Sequence, residues 1–195
     1  TERTERERTR GDELPTLSDG VVTLRPWRLD DAPAVAAACS DPLILRFNPA
    51  IPSPYRLQDA EVYLRAHLLG PEVAGETGFA IVDPGDGRLL GAIGRRGPVE
   101  GRATFGYWVA PEERGHGYAT RALRLVADWT LATTDAFRLD LYTDPENDAS
   151  GKVALRAGFE REGLRRAWAL DRTGRPMDML CYVRVRPMRE EPVGS

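Results

Sequence analysis

Residues 107–120 read Tyr-Trp-Val-Ala-Pro-Glu-Glu-Arg-Gly-His-Gly-Tyr-Ala-Thr, and this run carries the clearest chemistry of the chain. Trp108 and Val109 favour an extended backbone, and Pro111 cannot continue a sheet ladder from its middle. Gly115 and Gly117 permit positive φ and close backbone approach. From Ala119 onward, Leu123, Val126 and Thr130 fall on one helical face. A helix that starts after glycines presents free N–H groups pointing one way. With the helix dipole behind them, those groups suit a phosphate or pyrophosphate. The turn lacks the Gly-Lys-Ser/Thr ending of a nucleoside-triphosphate loop and the Gly-x-Gly-x-x-Gly spacing of a dinucleotide turn. It has Arg-x-x-Gly-x-Ala, from Arg114 through Gly117 to Ala119.

A second segment, Asn147-Asp148-Ala149-Ser150 through Val153-Ala154-Leu155-Arg156-Ala157-Gly158-Phe159, follows an apolar strand pattern at residues 137–142. Together the two segments resemble the GCN5-related N-acetyltransferase (GNAT) superfamily. Val153 to Leu164 and the opening Val22 to Ala32 are most similar to the branch that acetylates the N-termini of ribosomal proteins. The resemblance covers roughly residues 20–187.

The resemblance implies an acyl-coenzyme A co-substrate: acetyl-CoA, or a larger donor such as succinyl-CoA. It places backbone of Trp108, Val109 and Ala110, on a strand splayed by a bulge, against the pantetheine arm. The turn Arg114, Gly115, His116, Gly117, Tyr118, Ala119 and Thr120 would hold the phosphates, Arg114 through its charge and His116 through its backbone. Asn147 contacts the pantetheine or fixes its own loop. Many family members carry a tyrosine acid where this chain has Ala154. Ser150 is therefore the candidate catalytic acid for the leaving sulfur, the other reading being a helix N-cap. No single base is named: Tyr142 stands where some relatives have Glu, Asp140 reads as solvated, and water-mediated proton removal is expected. No metal is implied. Trp27, Phe47, Tyr55 and Trp168 are candidates to line the acceptor groove and equally candidates for core. The early helices, the loop from Phe47 to Tyr55 and the turn from Asp171 to Arg175 should border that groove. His67 reads as a surface or capping residue.

The activity implied is transfer of an acetyl group from acetyl-CoA to a primary amine by direct attack in a ternary complex. A protein N-terminus and a small-molecule amine both remain open as acceptor. The alternative is a non-catalytic, acyl-CoA-binding regulatory module.

The elements that must position these residues follow the fold class implied: one α/β (α+β) GNAT-like domain over residues 16–187, with a mixed, mostly antiparallel sheet flanked by helices. Residues 1–15, alternating Thr, Glu and Arg without apolar periodicity, read as a disordered tail, and 188–195 as a flexible one. Helices are expected from about Asp30 to Cys39, Leu57 to Leu69, Gly117 to Ala132 and Ser150 to Ala157. Strands are expected at Val21–Arg25, Thr77–Val82, Arg88–Arg95, Arg102–Ala110, Phe137–Thr143, Glu160–Leu170 and Met177–Arg186. On the Leu57 helix, Val62, Leu64 and Leu68 are the apolar positions.

A length of 195 residues suffices for one full core. The formal net charge of −3, with Arg interleaved among Asp and Glu, gives no drive toward nucleic acid or an anionic membrane. No apolar run is long enough for a bilayer span, and the charged first residues show no secretory signal, so a cytoplasmic location is expected. Cys39 and Cys181 are too few and too far apart for a disulfide framework or zinc site. Lys152 is the only lysine. Met179, Leu180 and Val183 are available either to the core or to a homodimer through the last strands.

Overall fold

A computed structural model of the chain describes residues 14–187. Residues 1–13 and 188–195, the bulk of the two expected tails, lie outside the described residues. Leu14, expected in the first tail, packs against the core.

The strands are β1 Leu17–Ser18, β2 Thr23–Arg25, β3 Thr77–Val82, β4 Leu89–Val99, β5 Arg102–Val109, β6 Arg138–Thr143, β7 Glu160–Leu170 and β8 Pro176–Val185. The helices are α1 Ala32–Cys39, α2 Pro42–Phe47, α3 Leu57–Leu69, α4 Pro71–Ala74, α5 Tyr118–Thr133 and α6 Asp148–Arg156. One sheet holds all eight strands in the order β1-β2-β3-β4-β5-β6-β8-β7. Among the described residues only β5 and β6 run parallel; every other neighbouring pair is antiparallel. This is the mixed, mostly antiparallel sheet expected.

Every residue of β3 is buried, because the sheet is covered on both faces. Alternation sends Phe79 and Ile81 into one core with Leu123, Val126 and Phe159, and Ala80 and Val82 into a second with Trp27, Val35 and Leu64. Helix α5 lies in the first layer because Ala122, Leu123, Val126, Ala127 and Thr130 form its buried stripe. Each fully buried large side chain there stabilises the fold by roughly 1.5–3 kcal/mol. In the second layer α3 buries Ala60 and Leu64, whereas Val62 and Leu68, expected on its apolar face, are 63% and 53% exposed. The side chains that turn inward with Leu64 are instead Tyr63 and His67, one turn apart and in edge contact at 4.4 Å between ring centroids.

Asp31 does not cap α1 with its side chain. Its carboxylate takes a two-pronged contact from Arg25, at 2.7 and 2.8 Å, plus the Arg28 N–H. Asp41 is the true cap of α2, accepting from the Leu43 and Ile44 N–H groups. Asp140, expected in solvent, is 4% exposed and held by Arg138 at 2.8 Å. Strand β8 lies between β6 and β7, so the free edge on that side belongs to β7. Among the described residues no helix is long and apolar enough to cross a membrane.

Candidate active site

The glycine turn takes the shape its composition requires. Gly115 and Gly117 have φ of 85° and 80°, and a Cβ on either would meet nothing within 4 Å. Gly117 is the N-cap of α5, and no side chain caps that helix start. The N–H groups of Tyr118, Ala119 and Thr120 therefore converge on an open cradle backed by sixteen residues of helix dipole. This cradle fits the pyrophosphate of a coenzyme A. The His116 ring faces its own turn, with Nδ1 3.2 Å from the Glu113 carbonyl, and stacks on Tyr118. Arg114 is engaged by Asp41 at 2.5 Å, which ties the turn to the start of α2. Buried Glu113, paired with Arg88, anchors the preceding bend.

On the strand that leads into this turn, the sheet opens along one edge. Strands β5 and β6 pair from Arg102↔Arg138 to Phe105↔Leu141 and then diverge. Gly106–Val109 on β5 and Tyr142–Thr143 on β6 have no partner across that edge. The expected bulge near Trp108 is absent: β4 and β5 keep a regular register from Gly91↔Val109 to Arg96↔Thr104, and the irregularity lies at the far end, between Arg96 and Val99. The opening arises because β6 turns away. The Ala110 N–H donates to Leu90 O at 2.9 Å, and the Trp108 carbonyl points at Gly91. Alternation along β5 then turns the backbone groups of Tyr107 and Val109 toward the gap. Of Trp108, Val109 and Ala110, only Val109 turns its backbone to the gap; Trp108 faces β4, and Ala110 gives its N–H to the Leu90 carbonyl while its own carbonyl accepts from the Glu113 N–H.

Ser150 sits at the far lip of the gap. It is not an N-cap: Asn147 caps α6, its side chain accepting from the Ser150 N–H at 3.1 Å. That places Asn147 as a loop-fixing residue and frees the Ser150 hydroxyl. Ser150 Oγ lies 2.7 Å from the Tyr107 hydroxyl, which also approaches the Ser150 carbonyl at 3.3 Å. Sequence reasoning missed Tyr107 as a site residue. Its phenol arrives from β5, while Ala154, where a family tyrosine would stand, is fully buried core. Burial holds the Tyr107 phenol well above its ordinary range, against the pull of the Ser150 contact, so it stays protonated.

On the opposite face of the sheet a cleft of about 640 Å³ lies between β4–β5 and the helices α1 and α3. Its walls include Phe47, Ile51, Tyr55, Tyr63 and Trp108, and its floor includes Gly94 and Gly106. Of the four aromatics considered for a groove or for the core, Phe47 and Tyr55 line this cleft. Trp27 does not: it is 3% exposed and packs beneath Tyr63 at 5.8 Å between ring centroids. Trp168 does not line it either, lying over Tyr142 at 5.0 Å and against Arg165. The hairpin tip contributes through Arg172, which donates to the carbonyls of Leu45 and Ile51 at 2.7 Å and Asn48 at 3.3 Å. The β7–β8 turn thereby holds the loop that walls the cleft.

Three polar residues near the cleft were not anticipated as a group. Glu76 and Arg96 line it, and the His67 side chain, expected at the surface, is only 4% exposed behind them. Burial pushes the His67 imidazole down to about 4, so it is neutral near neutral pH.

The model of the acetyltransferase (GNAT) domain family matches residues 22–160. Over 171 residues the chain is 25% identical to an uncharacterized N-acetyltransferase, p20, of Bacillus licheniformis, a match spanning 87% of this chain and 95% of that protein. Among solved structures, a GNAT-family acetyltransferase from Bacillus anthracis shares the fold with a TM-score of 0.77 at 18% identity, over 88% of this chain and 98% of that one. Mycobacterium smegmatis RimJ, in complex with CoA-disulfide, is 25% identical with a TM-score of 0.73, over 88% of this chain and 86% of that one. The family match takes in the glycine turn, the diverging strands and Ser150, and the chain belongs to the GNAT acetyltransferase family, the acyl-coenzyme A-dependent acyltransferases.

Proposed function

We propose that this protein is an N-acetyltransferase that moves an acetyl group from acetyl-CoA to a primary amine, on a protein N-terminus or a small molecule, within one ternary complex. The observation that carries the proposal is that residues 106–108 of β5 border both the unpaired β5–β6 edge and the cleft on the other face, while the glycine turn follows the end of the same strand and the Tyr107 hydroxyl meets Ser150. The similarity to RimJ, solved with CoA-disulfide, supports a coenzyme A thiol in this gap.

When bound, acetyl-CoA supplies a thioester, an activated acyl group on a thiolate leaving group. The amides of residues 118–120 hold its phosphates, and the Tyr107 and Val109 backbone positions its arm by strand-like hydrogen bonds. Holding donor and acceptor on two sides of one opening makes the attack effectively unimolecular. Ser150 Oγ donates a proton toward the departing sulfur and is resupplied through its contact with the Tyr107 phenol. A positioned acid of this kind contributes typically 10²–10⁴-fold to rate.

The test is calorimetric titration with acetyl-CoA, succinyl-CoA and free CoA, followed by thiol release in the presence of a primary-amine panel. Tight acetyl-CoA binding with amine-dependent thiol release is the expected outcome. Binding without release for any amine would identify an acyl-CoA sensor instead.

A further inference from the structure

Three glycines form one line across the sheet, and the last two, Gly94 and Gly106, lie in the floor of the cleft. Gly78 is the register partner of Gly94, and Gly94 of Gly106. Directly paired residues present the same face, so the missing side chains of all three open toward α3 and the cleft. What occupies the space differs along the line. A Cβ on Gly78 would lie 2.4 Å from the His67 ring, and one on Gly94 would lie 2.7 Å from the Glu76 carboxylate. One on Gly106 would meet nothing within 4 Å. The first glycine seats an imidazole and the second a carboxylate. The third leaves an open floor on β5, the strand that borders the cofactor gap.

Among the described residues the carboxylate lacks close partners. Its nearest polar neighbours are the Tyr63 hydroxyl at 3.5 Å, Arg96 Nε at 3.6 Å and His67 Nε2 at 3.7 Å. Arg96 is 71% exposed, which makes that pairing weak. His67 Nε2 is buried without any hydrogen-bond partner. A carboxylate that is 20% exposed, with acceptor positions unfilled, is costly unless something donates to it. The adjacent floor at Gly106 is one interstrand step away, roughly 5 Å. A nitrogen that rests between Gly106 and Gly94 can donate to Glu76, whose carboxylate covers Gly94. The rest of the lining is mainly apolar or aromatic, with Val35, Phe47, Ile51 and Tyr55, and includes Asn48 and Asp59.

We infer that Glu76 is the acceptor-binding carboxylate and proton acceptor of this enzyme, receiving a primary amine that sits over Gly106 and carries an apolar or aromatic body. This inference rests on the transferase reading above. The ammonium gives a proton to Glu76, and the neutral amine attacks the acyl carbon. The C–N bond forms, the C–S bond breaks, the sulfur takes its proton from Ser150, and the amide nitrogen sheds its second proton to solvent while Ser150 regains one through Tyr107. Glu76 then releases its proton to solvent. The groups facing Glu76 from α3 are Tyr63, His67 and, farther along the cleft, Asp59; from β4 it is Arg96. Burial raises the Glu76 carboxyl, opposed by Arg96 and Tyr63, which makes it a stronger base than a solvated carboxylate.

The experiment compares wild type, Glu76→Gln and Gly106→Val. Gly106→Val adds side chain where the structure has open space, so the fold accommodates it while the amine's floor is filled. Each protein, saturated with free CoA, is titrated calorimetrically with 2-phenylethylamine and with a Phe-Gly amide, and acetyl transfer to both is followed from pH 6 to 9. Both variants should bind acetyl-CoA as wild type does and bind the amines at least about 10-fold more weakly. Glu76→Gln should lose about 100-fold in kcat/KM and the acidic limb of its pH profile. The preferred probe distinguishes a small arylalkylamine from an apolar N-terminus. Wild-type amine binding and an unchanged pH profile in Glu76→Gln would overturn the inference, as would absence of binding of both probes to wild type. Amine binding that depends on Glu76, in a protein that transfers no acetyl group, would uphold the amine site and overturn the transferase reading alone.

Discussion

The Tyr107 hydroxyl and Ser150 Oγ stand 2.7 Å apart across the opening between β5 and β6. Residues 43 positions apart in the chain thus share one proton-bearing contact at the place where two parallel strands part. An acid at the leaving sulfur needs a hydroxyl free of structural duty, and the Asn147 cap provides that freedom by serving the Ser150 N–H itself.

Removing either hydroxyl should separate catalysis from binding. Ser150→Ala is expected to lower kcat by about 10²-fold or more, and Tyr107→Phe by roughly 10-fold, with acetyl-CoA affinity unchanged in both. Steady-state kinetics with parallel calorimetry checks this. A Ser150→Ala enzyme with wild-type kcat would remove the serine from the mechanism.

The cradle prediction concerns Gly117→Ala. A side chain at φ of 80° costs about 1–2 kcal/mol and shifts the amides of the first α5 turn. Acetyl-CoA affinity should fall at least about 10-fold. Gly20→Ala is the control, since Gly20 has φ of 84° and equally open surroundings but lies on the β1–β2 turn. It should show similar destabilisation in thermal melts with unchanged acetyl-CoA affinity.

Arg172→Ala should release the loop that walls the cleft. Three carbonyl contacts from one guanidinium are lost, a stability effect of about 1 kcal/mol at this exposed site. The amine KM should rise roughly five-fold while acetyl-CoA binding stays constant, because the cradle lies on the other face. Equal changes in both constants would show that the hairpin tip serves the whole fold instead.

The pH dependence of stability should carry a His67 component. The imidazole is held near 4 in the folded protein against an ordinary value of 6.5, so the unfolded chain binds more protons between those values. Stability contributed by the neutral ring is complete above pH 6.5 and is lost as pH falls toward 4, by up to ~3 kcal/mol. Denaturant melts at pH 7 and pH 4.5 should differ less for His67→Gln than for wild type. An equal difference in the two proteins would place the titration elsewhere.

Local pattern was a good guide where a segment's own residues decide its structure. The bounds of α3, β3 and β7 coincide with those expected from apolar runs and turn residues. Gly115 and Gly117 adopt the positive φ their position suggests. Pattern failed where a side chain's partner lies far along the chain. Trp27 and Trp168 look like Phe47 and Tyr55 in sequence, yet only the latter two reach the cleft. Glu76 stands one residue before β3 with nothing beside it to mark it, because its seat is Gly94 on the next strand.

The sequence by itself determined the glycine turn, the helix behind it and the family resemblance that both carry, because turn geometry and helix polarity are consequences of adjacent residues. Tertiary structure alone decided which hydroxyl meets Ser150, which aromatics wall the cleft and which carboxylate lies beside it. Those depend on strand register and on which sheet face each helix covers. A shift of one residue in register would send Tyr107, Gly94 and Gly106 to the opposite faces, and no local pattern encodes that choice.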